Sequence, residues 1–339
     1  MIDLRSDTVT RPTEGMLIAM TEAETGDDVF MEDPTVNAFQ KKIAGMFGME
    51  AGLFVPSGVM SNQLAIKILT QPSDEVITER TNHIFNYETA AAAHHSAVQI
   101  NPVSGKRGKL NAALVREAMR RGEEWEPRPS LIVIENATNK GGGACYTREE
   151  LKELRLAAKE LGLRLHLDGA RLWNAITATN LKPVFFGSIA ETITVSFSKG
   201  LGAPVGSMLL GSQDHILTAR RYRKMFGGGM RQIGVLAAAA DYGVEHHWPL
   251  LEEDHRRARD LASTIDSCSG LFIDPETVET NIVIFDVKEG DADHALSVLK
   301  DEEILMVPFG PRTIRATFHH QIDDAALKKT KDALIRHFG

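Results

Sequence analysis

The sequence predicts an α/β fold built on a mostly parallel sheet, and two patterns indicate it. The middle of the 339-residue chain alternates short apolar runs with segments of helical periodicity. Three predicted strands, at 131–134, 163–167 (where leucines alternate with polar residues) and 193–197, are followed by polar residues, namely Glu135, Asp168 and Ser198-Lys199. In open α/β sheets, ligands bind beyond the carboxyl ends of the strands. We therefore expect a binding site where the three runs end.

One helix between these runs can be bounded from the sequence. Thr147 and Glu150 have the spacing of a capping box, which satisfies two free amides of a first helical turn. Apolar residues then recur on one face as far as Leu161, and Gly162 is well placed to end the helix. The apolar run at 163–167 follows directly, so this segment has the helix–strand order of an α/β unit.

The pattern changes from about Glu252. A charged helical segment is followed by short strands around 281–285 and 313–317, and a helix from about Asp324 closes the chain. These elements predict a smaller α+β domain. We therefore divide the chain into a large domain at 26–250 and a small domain at 251–339, and expect residues 1–25 to pack near the small domain.

Composition excludes several classes of protein. The 46 acidic and 38 basic side chains give a net charge of −8, which argues against nucleic-acid binding. The chain has neither a signal-peptide pattern at its start nor an apolar stretch of about 18 residues. Its two cysteines support neither a disulfide framework nor a zinc site, and its histidine doublets point apart and predict no metal. We expect a cytoplasmic protein.

Lys199 and Asp168 suggest a cofactor. A partly desolvated lysine at a strand end, next to glycines, is suited to form a Schiff base. Asp168 lies about one helix and one strand earlier, so the two residues can end neighbouring strands. A carboxylate there holds a pyridine nitrogen protonated while the lysine carries the aldehyde, as pyridoxal 5′-phosphate requires. The alternatives are a solvated lysine in a turn and an aspartate that caps a helix.

A phosphate site is predicted at Ser57 and Gly58. They follow an apolar run and precede a helical stretch, and a helix N-terminus favours an anion. The glycine-rich stretch at 200–206 is one residue longer than the dinucleotide fingerprint, which disfavours a Rossmann fold. His83 is a candidate to stack on an aromatic cofactor, with a purely structural histidine as the alternative.

Together, five segments resemble the low-specificity L-threonine aldolases, which are aspartate-aminotransferase-like (fold type I) pyridoxal phosphate enzymes. The resemblance covers nearly the whole chain, and its strings are MIDLRSDTVTRPT at 1–13, GDDVFMEDPTVNAF at 26–39, LHLDGARLWNA at 165–175, SFSKGLGAPVGS at 196–207 and RKMFGGGMRQIG at 223–234. It implies a large domain with a mostly parallel seven-stranded sheet flanked by helices, and a smaller α+β C-terminal domain. It also implies a carbon–carbon lyase that cleaves L-threonine or L-allo-threonine to glycine and acetaldehyde.

The resemblance implies a role for ten residues. Lys199 would form the internal aldimine, Asp168 would pair with the pyridine nitrogen, and His83 would stack on the ring. Ser57 and Gly58 would bind the phosphate. Arg171 would bind the cofactor and the substrate carboxylate, and Ser6 and Arg315 would bind that carboxylate as well. Lys224 and Arg231 would contact the cofactor from a neighbouring subunit. The active site would therefore lie at the subunit interface of a homodimer or homotetramer.

Two departures from the family pattern bear on the substrate. Thr138 stands where many members have a histidine that contacts the β-hydroxyl region, and Phe30-Met31 replaces a tyrosine and a glycine. The base for the β-hydroxyl therefore stays open, and an aldolase that prefers phenylserine is one alternative. A β-eliminating lyase on the same scaffold is a second, and a non-catalytic α/β protein is a third.

Overall fold

The computed structural model describes residues 1–339, which form sheets of seven, four and two strands with helices packed against them. The strands are β1 (Ile2–Asp3), β2 (Ala51–Val55), β3 (Asp74–Glu79), β4 (Gln99–Val103), β5 (Arg128–Glu135), β6 (Arg164–Gly169), β7 (Thr192–Ser196), β8 (Ser207–Gly211), β9 (Leu271–Phe272), β10 (Ile282–Val287), β11 (Ile304–Leu305), β12 (Val307–Pro308) and β13 (Thr313–Thr317). The α-helices are α1 (Glu14–Glu22), α2 (Pro34–Phe47), α3 (Gly58–Leu69), α4 (His83–Asn86), α5 (Ala91–Ser96), α6 (Ala112–Glu117), α7 (Arg148–Glu160), α8 (Leu172–Thr179), α9 (Pro183–Ile189), α10 (Gln213–Met225), α11 (Gly234–Tyr242), α12 (Leu251–Ser267), α13 (Ala292–Asp301) and α14 (Asp324–Phe338).

The seven-stranded sheet confirms the predicted fold class. Its order is β2-β8-β7-β6-β5-β3-β4, and every strand except β8 runs parallel to the others. Strands β5, β6 and β7 are neighbours, so their carboxyl ends meet at one edge as predicted. Glu135 is paired in register with Asp168. Residues 131–134 of β5 are all buried on both faces of the sheet, which explains why they form a continuous apolar run rather than an alternating pattern.

The predicted capping box is present. The Thr147 hydroxyl accepts the Glu150 N–H at 3.2 Å, and the Glu150 carboxylate accepts the Thr147 N–H at 2.7 Å. Helix α7 ends just before Gly162, whose φ of 68° lies in the left-handed region that glycine adopts without strain. None of the helices in the structure combines the length and apolar character that a membrane crossing requires.

A second apolar core lies on the antiparallel sheet β12-β13-β10-β9, between that sheet and helices α12, α13 and α14. Helix α12 begins with Leu251 in the core of the large sheet and continues with Ala258 and Leu261 in the second core. The domain boundaries at 25/26 and 250/251 stay a prediction.

The first residues of the chain belong to the second core. Strand β1 pairs in parallel with β11, and Leu4 is fully buried among the apolar side chains of that core. The Leu4 N–H donates to the Leu305 carbonyl at 2.8 Å, and the Leu4 carbonyl accepts the Thr317 N–H at 2.8 Å. The next residues, Ser6 and Asp7, are thereby directed toward the edge of the large sheet.

Replacing Leu4 with alanine should lower the free energy of unfolding by about 2–5 kcal/mol, because it leaves a cavity in a closed apolar core. Urea unfolding followed by circular dichroism measures the change. The matched control is Leu156→Ala on the exposed face of α7, which should change stability by no more than about 0.5 kcal/mol. Equal midpoints for the two variants would show that Leu4 does not anchor the segment.

Candidate active site

Two adjoining cavities open where strands β5, β6 and β7 end. Their volumes are about 260 Å³ and about 450 Å³, and both are lined by His83, Ala170 and Lys199. Eight of the ten predicted site residues line them: Ser57, Gly58 and Asp168 in the smaller cavity, Ser6, Arg171 and Arg315 in the larger one, and His83 and Lys199 in both. The smaller cavity is called the cofactor cavity below, and the larger one the substrate cavity.

The cofactor cavity contains a helix N-terminus. Ser57 caps α3, and its hydroxyl accepts the Met60 N–H at 3.2 Å. A Cβ on Gly58 would lie 3.2 Å from the Ser196 hydroxyl, so a larger residue would crowd the side chain at this end of the cavity. The free amides of that turn and the helix dipole favour a phosphate at this end of the cavity.

Asp168 is buried at the end of β6 and held from two sides. One of its oxygens accepts the Asn62 side-chain amide at 2.7 Å, and the other accepts the Ala170 N–H at 3.0 Å. The Asn62 amide oxygen lies 3.2 Å from His166, whose burial lowers its pKa to about 4 and keeps it neutral. Asn62 therefore holds Asp168 through its amide nitrogen while its amide oxygen faces a neutral ring. Asn62 was not predicted as a site residue, because nothing local in the sequence distinguishes it from an ordinary helical residue.

The His83 imidazole is fixed by Glu88. Its Nδ1 lies 2.8 Å from a Glu88 oxygen, and Glu88 also accepts the side-chain amides of Asn62 and Gln63. Burial acts to lower the pKa of His83, but the hydrogen bond to Glu88 and the charge of Asp168 outweigh it and raise the pKa. The Glu88 contact thus fixes the ring at the wall that the two cavities share. Glu88 was not predicted as a site residue either, because its burial depends on contacts with α3 that the local sequence does not reveal.

Lys199 lies in the turn after β7, between the two cavities. Burial, followed by the positive charge of Arg171, lowers the pKa of its ammonium, and the nearby carboxylate of Asp7 partly opposes this. A larger fraction of the lysine is consequently neutral near pH 7 than in an exposed lysine. A neutral amine is the form that attacks an aldehyde.

Arg171 is bound on one side by Asp7. Its Nε and Nη2 donate to the two Asp7 oxygens at 2.8 and 2.7 Å, and both side chains are almost completely buried. Burial acts to raise the pKa of Asp7, but the charge and hydrogen bonds of Arg171 outweigh it and lower the pKa to about 2. Its Nη1 is the nitrogen that Asp7 does not bind; it donates to the Asn139 amide oxygen at 3.5 Å and has a second N–H left for a substrate. Asp7 was missed because its partner is 164 residues away.

Arg315 is a half-buried cation without a carboxylate partner. It lies on β13 and donates to the Asn139 amide oxygen at 2.8 Å and to the Arg5 carbonyl at 2.9 Å, while its buried Nε has no partner. Burial and the neighbouring charge of Arg171 lower its pKa to about 10. An anion next to Arg315 would remove this imbalance, so the substrate cavity is suited to a carboxylate. The Ser6 hydroxyl lies in the same cavity, where it accepts the Thr8 hydroxyl at 2.8 Å.

Glu135, at the end of β5, is a further acidic residue of the substrate cavity. Its oxygens accept the N–H groups of Asn139 at 2.9 Å and His83 at 3.3 Å. Burial and repulsion by Asp168 raise its pKa to about 7. Its position at a strand end was noted from the sequence, but no role was predicted because its burial depends on the neighbouring strand.

Three positions singled out from the sequence do not line the cavities of this chain. Arg231 is exposed and pairs with Asp27 at 2.7 Å, and Lys224 is exposed in the last turn of α10. Thr138 is buried, and its hydroxyl donates to the Arg107 carbonyl at 3.0 Å. No basic group therefore reaches the substrate cavity from position 138.

The chain matches proteins of known family over most of its length. The model of the family described as "Beta-eliminating lyase" matches residues 3–289. A probable low-specificity L-threonine aldolase of Arabidopsis thaliana is 39% identical over 95% of this chain and 93% of its own. A low specificity L-threonine aldolase of Escherichia coli is 38% identical over 90% of each chain.

A solved structure, of a putative L-allo-threonine aldolase from Listeria monocytogenes, has a TM-score of 0.84 at 22% identity over 99% of this chain and 96% of that one. This likeness shows that the fold is the aspartate-aminotransferase-like type I fold. The family match and the curated relatives show more than the fold. The chain belongs to the β-eliminating lyase family, as a lyase of the threonine aldolase type.

Proposed function

We propose that the protein uses pyridoxal 5′-phosphate to cleave L-threonine, L-allo-threonine or a related L-3-hydroxy amino acid to glycine and an aldehyde. The observation that carries the proposal is the arrangement around Lys199. This lysine and Asp168 line a cavity with the N-terminus of α3, and Arg315 lies without a counter-ion in the adjoining cavity. The names of the curated relatives support threonine as the kind of substrate.

The residues of the cofactor cavity fit pyridoxal phosphate. Ser57 and the amides of α3 would hold its phosphate, Asp168 would bond the pyridine nitrogen, and Lys199 would bind the aldehyde carbon. When bound, the group supplies an aldehyde that condenses with amines and a ring that accepts the electron pair of a broken bond. The fixed orientation of the Asp168 carboxylate supports this assignment, because both of its oxygens are already held by hydrogen bonds.

The substrate carboxylate would bind Arg315. The second N–H of the Arg171 Nη1 and the Ser6 hydroxyl would complete its surroundings. Asn139 holds both arginines through one amide oxygen and so fixes the spacing between them. A carboxylate fixed at this end of the cavity leaves the amino acid little freedom to rotate. The Cα–Cβ bond can then be held in the orientation in which it breaks.

Glu135 would accept the proton of the β-hydroxyl. It is the carboxylate that lines the substrate cavity next to Lys199, and its raised pKa suits a group that gains and loses a proton near neutrality. Thr138 does not compete for this role, because its hydroxyl faces the Arg107 carbonyl.

A second subunit would complete the site through Lys224 and Arg231, in a homodimer or homotetramer. The surface that carries these residues supports an interface there. Phe30 and Met225 are 69% and 71% exposed, and their segments are joined by the Asp28 N–H, which donates to the Arg231 carbonyl at 3.2 Å. Large apolar side chains exposed together are typical of a contact surface.

The purified protein with pyridoxal phosphate should convert L-threonine to equal amounts of glycine and acetaldehyde. A keto acid and ammonia in their place would indicate β-elimination. Lys199→Ala should lose the visible absorption band of the bound cofactor and lower the rate by at least about 10³-fold, because the lysine both binds the cofactor and takes part in proton transfer. Lys152→Met, an exposed lysine on α7, is the control and should keep both. A colourless wild-type protein would refute the proposal.

Arg315→Ala should weaken amino-acid binding by about 10- to 100-fold while the cofactor stays bound, because one charged hydrogen-bond donor is lost at the carboxylate. Spectral titration with glycine measures the affinity, and the absorption spectrum before titration reports the cofactor. Arg312→Ala, in the exposed turn before β13, should change neither. Loss of cofactor from Arg315→Ala would contradict the role given to Arg315.

The ratio kcat/KM for L-threonine should rise with pH along a limb set by Glu135, and then level off. A proton acceptor works only when ionised, and burial and Asp168 place the pKa of Glu135 at about 7. The midpoint of the limb should lie at or below pH 7. With the cofactor bound, its protonated ring nitrogen would offset the negative charge of Asp168, which otherwise repels the Glu135 carboxylate. Glu135→Gln should abolish the limb and lower kcat/KM by about 10²- to 10⁴-fold, whereas Glu135→Asp should keep it. A limb that persists in Glu135→Gln would exclude Glu135 as the acceptor.

A further inference from the structure

Lys140 lies in the substrate cavity without an anionic partner. It is half-buried and lines the cavity together with Tyr87, Phe309 and Arg315. Its ammonium takes part in none of the ion pairs of the structure and contacts aromatic rings instead. Nζ lies 3.7 Å from the centre of the Phe309 ring and 5.9 Å from that of Tyr87. An ammonium on an aromatic face is held more weakly than one that donates to a carboxylate, so it is free to move to an anion.

The other charged residues of the cavity already have tasks. Arg171 is bound by Asp7, Lys199 is assigned to the cofactor, and Arg315 to the substrate's α-carboxylate. The acidic residue of the cavity lining, Glu135, accepts two backbone amides. Lys140 therefore contributes a positive charge that neither the protein nor the proposed cleavage of threonine uses.

Lys140 and Arg315 lie close enough to bind two anionic groups of one small molecule. Both cations contact Phe309, at 3.7 Å and 4.8 Å from its ring centre, so the two charges are no more than 8.5 Å apart. The two carboxylates of a four-carbon diacid are about 4 Å apart, and each needs a donor at about 2.8 Å. Such a molecule is long enough to reach both cations with one carboxylate on each.

We propose that Lys140 binds a carboxylate on the β-carbon of the substrate, so that the preferred substrate is an L-3-hydroxy amino acid with a carboxylate as its β-substituent. The simplest is 3-hydroxyaspartate. This inference rests on the proposed function, because it uses Arg315 for the α-carboxylate. The Cα–Cβ bond breaks, the β-hydroxyl proton passes to Glu135, the β-carbon becomes the aldehyde carbon of glyoxylate, and the α-carbon takes up a proton to give glycine. The reaction needs no oxidant, reductant or second substrate.

The test compares kcat/KM of the cofactor-loaded enzyme for L-threonine and for the threo and erythro isomers of L-3-hydroxyaspartate, with acetaldehyde and glyoxylate measured as products. The wild type should prefer one isomer of hydroxyaspartate over threonine by about tenfold or more. Lys140→Met should lower that preference by about 10- to 100-fold, as expected for the loss of one charged donor. Lys140→Arg should keep most of it. Lys152→Met is the matched control and should leave both values unchanged.

A binding measurement separates recognition from turnover. L-aspartate has the second carboxylate but no β-hydroxyl, so it cannot undergo this cleavage. Calorimetry should show that the wild type binds L-aspartate more tightly than L-alanine, and that Lys140→Met binds the two alike.

The outcomes that overturn the inference differ from those that overturn the proposed function. If the wild type releases glycine from threonine but not from hydroxyaspartate, or if Lys140→Met loses activity equally on both, Lys140 has no part in selecting the β-substituent and the proposed function still stands. A preference for phenylserine that Lys140→Met leaves intact would assign Tyr87 and Phe309 to an aryl group and would also overturn the inference. If no 3-hydroxy amino acid yields glycine, the proposed function fails as well.

Discussion

The buried ion pair between Asp7 and Arg171 is the contact on which the substrate cavity depends. It joins the N-terminal segment, which is anchored in the second core, to the end of β6 in the large sheet. Burying two charges is favourable only when both are fully paired, and the two parallel hydrogen bonds meet that condition. Because Arg171 is held in this way, its remaining nitrogen is directed at Asn139. Asn139 in turn orients Arg315 on β13. The Asp7–Arg171 pair therefore sets the positions of two cations, Arg171 at the large sheet and Arg315 at the antiparallel sheet.

The electrostatics of the cavities reverse those of the whole molecule. The chain carries a net charge of −8, yet lysine and arginine outnumber the acidic residues in the substrate cavity. Burial alone would make such a cluster unfavourable, and the lowered pKa values of Lys199 and Arg315 reflect this. A phosphate and one or more carboxylates would relieve it. The stability of the region is thus linked to ligand binding, since anions that bind only the folded protein stabilise it.

The sequence was most informative where the chemistry is local. The strands that precede Glu135, Asp168 and Lys199 could be predicted because each has a short apolar pattern, continuous at 131–134 and alternating at 163–167, and the α/β order made them neighbours. Ser57 and Gly58 were recognisable because a helix N-terminus has a short-range signature. Asp7, Asn62 and Glu88 gave no such signal, because each matters only through contacts with residues distant in the sequence. The proposed contribution of Lys224 and Arg231 could be suggested only by resemblance, as it involves a second chain.

The anchoring of Leu4 has a consequence for how related sequences can vary. Leu4 is fixed by backbone bonds to Leu305 and Thr317, and Asp7 is fixed by Arg171, so only three peptide steps separate two immobile points. Three residues span at most about 10 Å, so the chain between these two points tolerates little change in length. Substitution at the exposed Arg5 is compatible with this geometry, whereas a change in length is not. Homologues with the same site are therefore expected to align through this stretch without gaps, even where the surrounding surface has diverged.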